Sequence, residues 1–224
     1  MTIDLSLIEG CYEAVDGTVL TGVAGPDVYV VIPDGAVVGL KDVSIIVPGD
    51  EYAAITCLGD ATLVLEGANA VKAHHGEFPA VFPAEGKTLT IKGKGSLQAS
   101  AGGKAAGIGG GYQRACGSIV IKSGVIVAWG GYLSAGIGSG YQRPCGDIVI
   151  EGNVVIATGG MGAAAIGGGY CGQCGNITIS KKVVQITASR VSTGDIPSDC
   201  IGKGAGGKCG TVNIHPDANV ICQE

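Results

Sequence analysis

Three copies of one glycine-rich phrase, held in fixed phase, restrict this chain more than any other feature. "AGIGGGYQRACGSIVI", "AGIGSGYQRPCGDIVI" and "AAIGGGYCGQCGNITI" place Cys116, Cys145 and Cys174 at intervals of 29 residues. A degraded fourth copy, "CIGKGAGGKCGTVNI", sets Cys209 after a longer gap of 35. A period of this length means that each copy is one supersecondary unit unable to bury its apolar face alone, so neighbours must stack. A β-sandwich, the competing all-β architecture, needs hairpin turns and imposes no such phase.

One repeat reads as three sides. Ile119 and Ile121 alternate with Ser118, Val120 and Lys122, a period of two that puts the isoleucines on one face. After Ser123-Gly124, "VIVAW" directs Ile126 and Ala128 one way and Val125, Val127 and Trp129 the other. Gly130-Gly131 turns the chain, and "SAGIG" supplies Ile137 as a third inward residue. Three short strands and three turns per repeat describe one coil of a right-handed, single-stranded parallel β-helix. Its inward columns are Leu89, Ile119, Ile148, Ile177, Val212 and Ile108, Ile137, Ile166, Ile201. Upstream, "TLVLEGANAV", "TLTIKGKGSLQA" and "FPAVFPAEG" carry the same pattern less regularly, giving about eight coils. The expected division is a lead-in cap over 1–27, with a weak turn near Leu5–Glu13, then a β-helix over 28–224 with regular repeats from about 106 to 192.

The residues "YAAI…GDATLVLEGANAV…FPAVFPAEGKTLTIKGKGSLQA…AAGIGGG…CGSIVI" resemble the glycine-rich right-handed β-helix domains of surface and secreted proteins of Gram-positive and gut bacteria. "TIDLSLIEGCYEAVDGTVLTG" resembles the segment preceding the coils in that family. The likeness covers nearly the whole chain and implies the fold and an extracellular or cell-surface setting. Some β-helix relatives bind pectic polysaccharide, and the wider superfamily includes polysaccharide lyases, so function follows from the likeness only by analogy. "MTIDLSLIEG" has no basic n-region or apolar h-region, so no signal peptide is legible, and no apolar run reaches membrane-spanning length.

Three columns of residues, and a few local motifs, invite a chemical reading. Cys116, Cys145, Cys174 and Cys209 fall once per coil beside the inward isoleucines. A row along the axis cannot surround a tetrahedral metal, so a structural ladder of buried, reduced thiols is expected. Cys171-Gly-Gln-Cys174 has CxxC spacing without a second pair, which leaves a local disulfide or coincidence ahead of metal. His74, His75 and Glu77 read as a solvated loop, and no cofactor or metal is expected. "GIGGG" shares letters with a dinucleotide fingerprint but opens no helix to receive a phosphate.

Tyr112, Tyr141 and Tyr170 precede the cysteines by four residues, and Arg114 and Arg143 form a further column. Tyrosine faces could stack on sugar rings and arginine forks could pair with carboxylates; the rival reading is that the tyrosines cover the cysteine corner. Charge distribution bears on the choice. Residues 1–85 carry 13 acids and 2 lysines, residues 86–146 carry 7 bases and no acid, and residues 147–224 nearly balance. A cationic belt attracts a polyanion but offers no paired carboxylates for glycoside hydrolysis. The acids Asp27, Asp34, Asp42, Asp50, Glu51 and Asp60 are spread out as turn residues, so no lyase base with a calcium cluster assembles. A pI near 5.2 and the lack of a recognition motif argue against nucleic acid. The expected activity is non-catalytic binding of an acidic, pectin-like polysaccharide through Tyr112, Arg114, Tyr141, Arg143 and Tyr170. A structural spacer or adhesin, or a lyase-like enzyme, are the alternatives. Val125, Val127, Trp129, Val154 and Ile156 form an outward apolar face expected to meet a second copy or a neighbouring domain.

Overall fold

A computed structural model of the chain describes residues 1–49, 51–74, 76–191 and 197–224. Asp50, His75 and the 192–196 segment, where the regular repeats are expected to end, lie outside the described residues. Every named strand pairing among the described residues is parallel, and the strands build one long solenoid. One complete coil runs Ser118–Ile121, Val125–Trp129 and Ile137–Gly138. The next runs Ile148–Ile150, Asn153–Met161 and Ile166–Gly167.

The inward columns stack as the period-two pattern requires. Leu89, Ile119, Ile148, Ile177 and Val212 are consecutive rung partners. Ile108, Ile137, Ile166 and Ile201 are partners on the third face. Ile126, Ala128, Val155 and Ala157 are fully buried, so the alternation along the second face is the one read from the sequence. Three strand-lined sides around one apolar column explain how a glycine-rich chain with few aromatics still has a continuous core.

The coil count differs from the expected eight. Six coils have strands on all three sides, the first being Val37–Val47 with Ile55–Cys57 and the last Ile177–Ile179, Val183–Val191 and Ile201–Gly202. At both ends shorter strands prolong the sheets, with Val19–Val23 pairing along both halves of Val37–Val47. The 1–27 segment contributes Thr2–Asp4, Cys11–Glu13 and Val19–Val23 to these sheets, and a 3-10 turn over Leu5–Leu7 buries Leu5 completely. In the first coil a single strand crosses two faces, bending at Asp42, whose φ is 53°. Buried Asn69 serves that bend from the coil above. Its Oδ1 accepts from the Val43 N–H at 3.0 Å, and its Nδ2 donates to the Glu66 and Ser96 carbonyls.

Candidate binding surface

The glycine phrase forms the corner between the third and first faces, repeated on adjacent coils. Gln113, Gln142 and Cys171, at equivalent positions, all adopt left-handed φ (53°, 59° and 51°), so the three tips share one backbone shape. That shape puts the preceding tyrosines in a stack. Tyr112 and Tyr141 lie 5.8 Å apart between ring centroids, and Tyr141 and Tyr170 lie 6.1 Å apart. Lys104 caps the stack with its Nζ 5.0 and 5.1 Å from the first two rings, a cation–π contact. The ring faces therefore lie against one another along the column, which turns ring edges and cations outward. Arg114 lies over the Phe78 ring at 4.2 Å and stays exposed, as does Arg143.

The cysteine ladder exists, but it is not uniformly reduced. Cys116, Cys145 and Cys174 are buried and Cys209 is half-buried. Cys174 and Cys209 are joined by a disulfide, which corrects both the all-thiol ladder and the local Cys171–Cys174 pairing. The cause is the stacking: equivalent residues on adjacent rungs bring these two Cα atoms to 4.5 Å, within reach of a disulfide. Cys171, free, occupies the left-handed tip position instead. Cys116 and Cys145 remain thiols, with Cys116 Sγ 3.6 Å from the Gly138 carbonyl. Burial, and then the Cys145 neighbour, pushes the Cys116 thiol well above its ordinary range. Burial alone holds Cys57 up at about 12.

Three of the scattered acids are occupied by backbone. Asp34 Oδ1 accepts from the Asp60 N–H, Asp42 Oδ1 from Ala68, and Asp60 Oδ1 from Thr88, at 2.7–2.9 Å. The same device continues up the first face. Ser118 Oγ accepts from the Asp147 N–H, Asp147 Oδ1 from Asn176, and Asn176 Oδ1 from Thr211. Part of this side-chain ladder is visible in the sequence: Asp60, Asp147 and Asn176 each stand just before a first-face strand, and Ser118 opens one. Asp4 likewise accepts from the Ser6 N–H, which holds its carboxyl below the ordinary value. Among the described residues no three His, Cys, Asp or Glu side chains converge as metal ligands, and His75 of the His74–Glu77 loop lies outside them.

The outward wall of the second face is mixed. Val125, Trp129 and Ile156 are exposed and Val127 and Val154 half-buried, forming one apolar strip. On its N-terminal side the wall sinks into a shallow cavity lined by Ile46, Ala70, Lys72, Gln98, Ser100 and Trp129. No spacing rule announces this site, because Lys72 and Trp129 lie on coils of different loop length.

One protein-family model, described as a beta helix repeat, matches residues 89–112, 119–141 and 148–170. No curated protein matches the chain. No solved structure matches it either. With the parallel solenoid described above, the repeat matches make the chain a β-helix domain.

Proposed function

We propose that this β-helix is a non-catalytic binding module of a bacterial surface or secreted protein, and that it recognises an acidic, polygalacturonate-like polysaccharide. The observation that carries the reading is the cation-bearing corner. Lys104, Arg114 and Arg143 belong to one run of neighbouring coils, in a 61-residue stretch (86–146) with no acid. Neither arginine forms a salt bridge among the described residues, so both forks are free to pair with carboxylates. Rungs about 4.8 Å apart set such cations in a row, which suits a linear polyanion better than a compact ligand. Asp34, Asp42 and Asp60 already accept from backbone N–H groups, which favours binding over catalysis. A disulfide between coils suits an oxidising, extracellular compartment.

Calorimetric titration with oligogalacturonates tests the reading. Binding should weaken at least about tenfold in the Arg114→Ala/Arg143→Ala double variant, and its salt dependence should shrink, because salt screens exposed charge. Unchanged affinity and salt slope in the double variant would overturn the corner as the site. No binding at all would favour the spacer, and unsaturated product accumulating during the titration would favour the lyase.

A further inference from the structure

We propose that the cavity beside Trp129 is a second saccharide subsite, in which the indole is the platform for a sugar ring and Lys72 pairs with a uronic carboxylate. The inference rests on the acidic-glycan reading but uses a different wall of the rod.

Register places the residues. Trp129 is the rung partner of Ser100, Ser100 of Lys72, and Lys72 of Ile46. Ala70 and Gln98 are partners in the adjacent outward column. The floor is therefore made of the small residues Ala70 and Ser100, with Trp129 raised on one side and Ile46 and Lys72 on the other. Three rung spacings of about 4.8 Å make the trough roughly 14 Å long. Its volume of about 410 Å³ lies in the range of small-ligand sites.

The chemistry selects the occupant. Trp129 is the only tryptophan of the chain and is 39% exposed on a wall where a core role is excluded by register. Among the described residues, the side chains of Lys72, Gln98, Ser100 and Trp129 have no hydrogen bond or ion pair to other protein groups. A flat apolar surface flanked by unengaged donors and acceptors matches a pyranose, which has an apolar face and a hydroxyl rim. One cation at the far end adds a carboxylate to that description. An apolar protein partner would have to desolvate Lys72 and Gln98 without pairing them, at a cost.

Because Trp129 is the only tryptophan, its emission reports this cavity alone. The intact chain is titrated with trigalacturonate, and with a neutral glucan trisaccharide as control. The expected result is a saturable change in emission with the uronate, at least about fivefold weaker with the neutral sugar and in Lys72→Gln. Arg114→Ala/Arg143→Ala should leave the emission titration in place. Calorimetric binding of trigalacturonate with no change in Trp129 emission would overturn the subsite while leaving the arginine corner standing. Equal response to both sugars would overturn the carboxylate pairing. Emission that shifts with protein concentration, alongside a dimer in sedimentation, would make the wall an interface between copies. Silence in both emission and calorimetry would overturn the subsite and the acidic-glycan reading together.

Discussion

Gly138 explains at the residue scale why glycine recurs in fixed phase. Its φ is 133°, in the region L side chains avoid, and an added Cβ would stand 2.0 Å from the Gly167 carbonyl one coil later. Gly109, Gly167 and Gly202 repeat the conformation at the same corner. The backbone there passes too close to the next coil for any side chain, so the requirement comes from stacking and returns with each repeat. Gly138→Ala should cost at least about 3 kcal/mol in denaturant unfolding, since strain and a backbone clash add. Gly25→Ala should stay within about 1 kcal/mol, because the nearest atom to its new Cβ is 3.8 Å away. Equal costs at the two sites would show that the corner can relax.

Strands in this chain are legible because each side of the coil has one wet and one dry face. "VIVAW" and "NVVIAT" alternate so that a one-residue slip would exchange every side chain. Lysine substitutions at the two phases separate the faces. Ile126→Lys puts an ammonium into a fully buried column and should prevent folding or cost more than about 4 kcal/mol. Ile156→Lys, in the other phase and 36% exposed, should change stability by less than about 1 kcal/mol. Circular dichroism and thermal melting of the pair decide it, and a reversed order would overturn the register. Less legible are the tyrosine corners. The sequence shows their phase, but whether rings face solvent or one another depends on the left-handed tips at Gln113, Gln142 and Cys171.

At the scale of the whole solenoid, the two described ends differ. At the first, Leu5 is fully buried as part of the core. At the last, Val212 and Ile214 continue the column of Ile177 and Ile179 yet are 37% and 41% exposed, with no described rung above them. In a solenoid each coil is held only by its neighbours, and this partial turn has one described neighbour. The Cys174–Cys209 disulfide ties it down. Cys209→Ser should therefore act locally: amide exchange should quicken first in Val212–Ile214 and Val220–Gln223, with up to about 3–4 kcal/mol of protection lost there. Protection falling uniformly along the rod would mean that the coils unfold as one unit and that the local picture is wrong.

The sequence alone determined the parallel β-helix, the inward columns from Leu89 and Ile108 onward, and the wet and dry phases of each strand. These follow from alternation and a constant repeat length, which are properties of consecutive residues. Tertiary structure decided the rest. The number of coils, about six instead of eight, came from which strands pair along the rod. Cys174 bonds Cys209 instead of Cys171 because adjacent rungs approach at 4.5 Å while the CxxC tip turns left-handed. Lys72 and Trp129 share a trough because coils with loops of unequal length still stack in one register. Where spacing along the chain varies but spacing along the rod does not, only the stacked coils reveal which side chains are neighbours.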